Sequence, residues 1–200
     1  MSAPLTIDRT VLQGEVVRLE PYQPKDFDEV ARAALTAPEI FRFIPSRMQD
    51  MGDLRARFSM AEQLMEGGKV VFFLTRLAKT GEVVGSTSSM VTDAAHRRIE
   101  IGFTWLLPRA QRTAANTEAK LLQLTQAFEA SGAIRVEFKT DARNTRSRDA
   151  ILRIGAREEG TLRSHMICWD GHLRDSVYFS IIASEWPDVK SRLMAKLARR

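Results

Sequence analysis

An apolar run from Glu100 to Leu107, carrying Ile101, Phe103, Trp105 and Leu106, is closed by Pro108 and followed a few residues later by a pattern of different period. Aromatic and β-branched residues with a terminal proline describe a strand and its stop. From about Ala115 onward, Ala119, Leu121, Leu122, Leu124, Ala127 and Phe128 fall at helical spacing, and Gly132 supplies the stop. The chain therefore passes from strand to helix through a short polar loop whose backbone N–H groups lead into a helix start. Such a start has unpaired donors and a partial positive charge, which suits an anion, phosphate above all. Arg109 and Arg112 stand just before it and add full charges. The dipole alone stabilises an exposed anion by only about 0.3–1 kcal/mol. A ligand there needs the arginines and several N–H groups together. An ordinary strand–loop–helix connection with solvated arginines accounts for the same spacing.

The remaining segments supply a sheet around this junction. Residues 15–20, after Gly14, read as a first strand ended by Pro21, and Pro24 opens a helix through Phe27, Val30, Ala31 and Ala34. Residues 39–45 are aromatic with an irregular backbone, and residues 53–66 form a second helix stopped by Gly67 and Gly68. Strands over residues 70–77 and 83–90 are joined by a turn at residues 79–82. A further turn from Asp93 to His96 leads into the strand before Pro108. Residues 135–140 alternate as a strand, so strand, helix and strand imply a parallel pair with a right-handed crossover. Asn144 caps the next helix and Gly155 ends it. Residues 161–169 and 173–181 form a hairpin about Asp170 and Gly171. A basic terminal helix carries Val189, Leu193 and Leu197 on one side, and packing on the domain is favoured over lying on a membrane. This order implies an α+β design, a mixed sheet with helices on both faces.

A length of 200 residues suits a single domain, with a core over about residues 14–186 and the terminal helix beyond. No apolar run approaches the roughly 20 residues that span a bilayer, and residues 1–8 lack a signal peptide's basic start and apolar core. The single cysteine, Cys168, rules out an intrachain disulfide, fits a reducing cytoplasm, and reads as a packed strand residue rather than a nucleophile. A net charge of +5 calls for an anionic partner. The Lys and Arg residues are scattered and no nucleic-acid module signature is present, so a phosphate-rich cofactor explains a local cluster equally well. His96, His165 and His172 have no ligand spacing, which argues against a metal site.

The segment from Gln111 to Lys120, after the Glu-Ile-Gly-Phe-Thr-Trp strand, resembles the acetyl-CoA loop of the GNAT acetyltransferases. It is most similar to the RimJ/RimL-type branch that includes the ribosomal-protein N-acetyltransferases. The general family pattern is Gln/Arg-x-x-Gly-x-Gly/Ala; here Gln111 matches, while Ala114 and Asn116 occupy the glycine positions. Asn144, then Ser147 three residues later, then a short helix ending in Gly155-Ala156 resembles the family's second signature. The resemblance extends over about residues 14–186. It implies the GNAT fold, with a mostly antiparallel seven-strand sheet in which two strands splay apart and hold acetyl-CoA in the gap.

The same resemblance implies the roles. Thr104, Trp105 and Leu106 would pair with the pantetheine arm, and Gln111, Arg112, Thr113, Ala114, Ala115, Asn116 and Thr117 would hold the pyrophosphate. Glu100 would be the general base, through a water; a strand-edge carboxylate paired with Arg97 or Arg98 is the alternative. Ser147 would protonate the leaving thiolate or bind the cofactor, unless it is a plain first-turn helix serine, and Asn144 would bind pantetheine. Phe41 and Phe43 belong to a partly apolar roof over the acceptor, and Arg163, His165 and Asp175 would line its other side or form a structural ion pair. The implied activity is acetyl transfer to a primary amine, of a peptide N-terminus or a small molecule. A non-catalytic acyl-CoA-binding sensor and a basic nucleic-acid-binding domain are the alternatives. Homodimerisation through the terminal strands fits the reading.

Overall fold

The computed structural model describes residues 5–199. Residues 1–4, within the segment expected to lack a signal peptide's pattern, and Arg200, the last residue of the segment expected to form the terminal helix, lie outside the described residues. The strands are β1 (Leu12–Gln13), β2 (Val17–Pro21), β3 (Val70–Leu77), β4 (Val83–Asp93), β5 (Arg98–Leu106), β6 (Arg135–Asp141), β7 (Arg157–Ile167) and β8 (Leu173–Ile182). The helices are α1 (Phe27–Leu35), α2 (Met51–Glu66), α3 (Ala115–Thr125), α4 (Thr145–Arg153) and α5 (Trp186–Ala198). One sheet carries all the strands in the order β1-β2-β3-β4-β5-β6-β8-β7, and only the β5–β6 pairing is parallel. The sheet thus has eight strands where the residue pattern implies seven. The extra one, β1, is a two-residue strip that pairs Leu12 with Leu19, too short to carry any period. β7 begins at Arg157, four residues before the expected Thr161, because its first residues are charged and exposed. Among the described residues no helix is long and apolar enough to cross a membrane.

Alternation along the strands splits the core between the two faces of the sheet. Val71 and Phe73 of β3 point to the face covered by α3 and α5, where Leu124 and Leu193 meet Ile99, Val136 and Phe179. Phe72 and Leu74 point to the other face, where Val30, Leu54 and Phe58 of α1 and α2 pack with Trp105. α2 starts at Asp50, whose carboxylate accepts from the Asp53 N–H, so the helix begins two residues before the periodic run. α3 runs on into a π-helical turn, Gln126–Ala130, before Gly132 turns the chain in a left-handed conformation.

The feature that positions the site is a parting in the sheet. β5 and β6 pair only from Arg98↔Arg135 to Glu100↔Glu137, although β5 continues to Leu106 and β6 to Asp141. β5 is irregular where they part: Phe103 has φ of 47°, and its register with β4 shifts between Ser86 and Ser88. A bulge of this kind bends a strand away from its neighbour.

Glu118 anchors the start of α3 on the sheet. Its carboxylate accepts from the backbone N–H groups of Glu15 (3.1 Å), Val16 (2.7 Å) and Val17 (2.7 Å). Gly14 is required beside it, since a Cβ there would lie 2.4 Å from Glu118 Oε2. Glu118→Ala strips three donors of their acceptor and is expected to lower stability by about 2–4 kcal/mol. A urea denaturation midpoint equal to the wild type's would contradict this.

Candidate functional site

The parting between β5 and β6 opens into a cleft of about 620 Å³. Glu100, Phe103, Thr104, Trp105 and Leu106 line one side, continued by Gln111, Arg112, Asn116 and Lys120. Lys139, Thr140, Asn144, Arg146 and Ser147 line the other, and Phe43, Ile44 and Pro45 wall one end. Thr113, Ala114 and Thr117 turn with Arg112 toward a second hollow of about 500 Å³ behind the loop.

Gln111 ties the loop between β5 and α3 back to the end of β5 and across to α4. Its Nε2 donates to the Leu106 carbonyl (2.7 Å), and its Oε1 accepts from Arg146 Nη1 (2.8 Å) of α4. Arg112 takes a left-handed conformation, φ 58°, which turns the chain into the helix. Ala114 caps α3 without a side-chain hydrogen bond, and Ala115 N–H donates to Thr113 Oγ1 (3.1 Å). Ala115 is itself fully buried in the core, so its amide does not serve a ligand. The next amides, of Asn116 and Thr117, have no carbonyl a turn back within the helix, and neither finds a protein acceptor among the described residues. Arg109, expected beside this site, instead pairs with Glu82. Arg146 supplies the second charge in its place.

Asn144 accepts from Ser147 N–H (3.1 Å) as the α4 cap while also lining the cleft, so the capping and lining roles coexist. Glu100 is 6% exposed and pairs with Lys139 (Nζ to Oε2, 3.1 Å), not with Arg97 or Arg98. Arg98 is engaged by Asp93 and Glu137. Of the residues expected on the acceptor side, Phe43 lines the cleft, whereas Phe41 is buried edge-on against Trp105 at 5.5 Å. Arg163, His165 and Asp175 lie outside the lining. Asp175 accepts from Ser164 N–H (2.7 Å), His165 Nδ1 sits 3.0 Å from Ser176 Oγ, and among the described residues no ion pair joins the three. Cys168 is buried, and desolvation pushes its thiol pKa up, which makes it a poor nucleophile.

Sequence reasoning missed Lys120, Lys139, Arg146 and Arg174, all of which line the cleft. Lys120 is the most unusual. Its Nζ donates to Thr87 Oγ1 (2.8 Å), Thr104 Oγ1 (2.9 Å) and Gln123 Oε1 (2.9 Å), three neutral acceptors for three N–H bonds. Burial without a carboxylate partner pushes its pKa down from 10.5 to about 7. Its position one residue past Ala119 and four before Leu124, on an otherwise packed helix, is the only signal it leaves in the sequence. Thr104, one of these acceptors, lines the cleft as well.

A mixed sheet that parts at its single parallel pair, with a helix start and two arginines at the lip, is an arrangement suited to a phosphate-bearing ligand. The chain belongs to the GNAT acetyltransferase family: the acetyltransferase (GNAT) domain family matches it over residues 17–157. It is similar to a GCN5-related N-acetyltransferase from Brucella melitensis, at 30% identity over 96% of this chain and 87% of that one, with a TM-score of 0.86. It is also similar to Mycobacterium smegmatis RimJ in complex with CoA-disulfide, at 28% identity over 97% and 93% of the two chains, TM-score 0.78. The Bacillus subtilis (strain 168) protein YdaF, whose name assigns it provisionally to ribosomal N-acetylation, is 32% identical over 110 residues. That match covers 55% of this chain and 59% of YdaF, so the chain spans less than two thirds of that relative's length.

Acetyl-CoA is the cofactor of this family, and the residues present fit it. The unpaired amides of Asn116 and Thr117, with Arg112 and Arg146, suit the pyrophosphate, and the unpaired edge of β5 beyond Glu100 suits an amide-bearing arm. Phosphate held by these amides would make Asn116→Pro weaken coenzyme A about ten- to a hundredfold, the value of a hydrogen bond to a charged group. Proline is tolerated in a helix's first turn, so the melting temperature should move little. Asn116→Ala should leave affinity near the wild type's. Calorimetry on the two variants checks the contrast, and equal affinities would place the anion elsewhere.

Proposed function

We propose that the protein is an N-acetyltransferase of the RimJ/RimL type, working in a reducing cytoplasm on the primary amine of a peptide N-terminus or small molecule. The observation that carries this is the parting of β5 from β6 with a basic helix start at its lip and a buried carboxylate, Glu100, inside. Acetyl-CoA supplies an activated acyl thioester. The protein's part is to bind it in one orientation, exclude water, and manage protons. Backbone N–H groups on the open edge of β5, near Thr104 to Leu106, are donors for the thioester carbonyl. Glu100, on the sheet face opposite α3, takes the amine's proton through a water. Ser147, at the first turn of α4, is a hydrogen-bond donor to the departing sulfur. Homodimerisation is proposed through the β7–β8 hairpin, where Ile167, Trp169 and Leu173 are exposed.

The test is thiol release from acetyl-CoA with a panel of free amines and short peptides. Turnover with any amine above the rate without one supports the reading. Tight coenzyme A binding with no turnover across the panel would replace it with a non-catalytic acyl-CoA sensor. Steeply salt-dependent affinity for DNA or RNA would favour the nucleic-acid reading.

A further inference from the structure

Arg174 of β8 lines the same cleft, yet it is 5% exposed and has no counterion within ion-pair distance among the described residues. Its Nε is buried with no hydrogen-bond partner. The carboxylate that ought to neutralise it, Asp141, is already taken: its two oxygens accept from Arg143 N (2.9 Å), Nε (3.0 Å) and Nη2 (2.8 Å). A buried guanidinium without hydrogen bonds is costly, and such groups in folded proteins call for a partner. Burial accordingly pushes the Arg174 pKa down.

Its location separates it from the phosphate end of the cleft. Val136 and Phe138 of β6, and Val177 and Phe179 of β8, enter the core under α3 and α5. By alternation Lys139 and Asp141 of β6, and Arg174 and Ser176 of β8, face the other side. That is the face of Glu100, whose neighbours Ile99 and Ile101 enter the same core. The wall there is the Phe43-Ile44-Pro45 segment, tied to the β7–β8 hairpin by Trp169 N–H to the Pro45 carbonyl (2.9 Å). Arg174 is therefore on the acceptor's side, separate from the amides of Asn116 and Thr117.

We propose that Arg174 receives a carboxylate carried by the acceptor, so that the amines this enzyme acetylates bear an acidic group. The planar guanidinium fork matches a carboxylate in two parallel hydrogen bonds. The inference rests on the transferase reading for the word acceptor, but the anion site itself does not. Free amino acids and peptides with an acidic residue near the N-terminus both present this group.

The first arm of the test is binding. Propionate and its neutral match propionamide are titrated calorimetrically into the wild-type protein and Arg174→Met, each saturated with coenzyme A. Propionate is expected to bind the wild type at least tenfold more tightly than propionamide does, and Arg174→Met is expected to erase the difference. No preference in the wild type, or the same preference in the variant, overturns the proposal. Arg174→Met removes an uncompensated charge, so a melting temperature at or above the wild type's is expected and confirms that it folds. The second arm compares β-alanine with β-alanine amide and Ser-Asp with Ser-Asn as acceptors. A lower KM for the acidic member of either pair, lost in Arg174→Met, supports the proposal and tells amino acid from peptide. Equal kcat/KM within both pairs overturns it. Failure of coenzyme A to bind would instead remove the transferase reading, with propionate titrated into the unliganded protein still deciding the anion site.

Discussion

Replacing Glu100 with glutamine is expected to lower kcat for acetyl transfer by about 10²–10⁴-fold, the usual contribution of a positioned general base, while coenzyme A affinity stays at the wild-type level. The carboxylate is tightly placed. Ile99 and Ile101 enter the α3–α5 core, so Glu100 points to the opposite face. Lys139 holds one of its oxygens at 3.1 Å, and the other would lie only 3.1 Å from a Cβ added at Gly102. Glutamine keeps the shape and loses the ability to accept a proton. The dissociation constant and kcat must be measured separately, because a purely structural carboxylate would shift both. If Glu100→Gln retains full turnover at every pH, the amine loses its proton to bulk water or another group, and Glu100 serves only to pair with Lys139. Lys139→Met gives the complementary measurement: it removes the cation that holds Glu100 at 3.1 Å and leaves the carboxylate in place, so activity is expected to persist where Glu100→Gln loses it.

The strand and helix on either side of Pro108 are legible in the sequence because each carries its own period and a stop residue. The parallel β5–β6 pair follows from chain topology, since a helix must lie between strands that run the same way. What lies outside that reach depends on contacts between distant segments. Lys120 meets Thr87, 33 residues earlier, and nothing near Lys120 in the chain announces a buried ammonium. Glu118 looks like an ordinary first-turn carboxylate until β2 is placed against it, more than a hundred positions away. Arg109 and Arg146 show the same limit from the other side. Proximity in sequence favours Arg109 as the anion ligand, but Glu82 across the β3–β4 turn captures it, and α4 brings Arg146 onto Gln111. Phe41 and Phe43 are two residues apart in one aromatic segment, and a short 3₁₀ turn ending at Phe41 sends one into the core and the other to the cleft. Chemistry-bearing residues at strand ends and helix starts are thus readable locally, whereas the polar partners that tune them are set by the packing.

Lys120→Met is expected to raise the stability of the fold by about 2–4 kcal/mol, the range seen when buried ionic groups give way to apolar ones of similar volume, equivalent to roughly 5–10 °C in melting temperature for a chain of this size. The sign follows from proton counting. In the unfolded chain Lys120 is protonated up to its ordinary value of 10.5, and in the folded protein only up to about 7. Between those values the unfolded state binds the extra proton, so unfolding becomes harder as pH rises from 7 to 10.5. Below about 7 both states are protonated, and the desolvation cost, of order 4 kcal/mol at pH 7, is constant. The methionine variant should therefore gain most below pH 7, gain progressively less as the pH rises toward 10.5, and lack this part of the wild type's slope. Thr87, Thr104 and Gln123 are not stranded by the change, since Thr87 already lies within hydrogen-bond distance of both Thr104 Oγ1 (2.8 Å) and Gln123 Oε1 (3.1 Å). Urea titrations at pH 6, 8 and 9.5 decide the matter. A Lys120→Met protein that is less stable than the wild type at pH 6, or whose stability climbs with pH as steeply, would mean that the three acceptors compensate the ammonium in full. Lys120 also lines the cleft and bonds Thr104, so the same variant, titrated with coenzyme A, is expected to bind it more weakly while being the more stable protein.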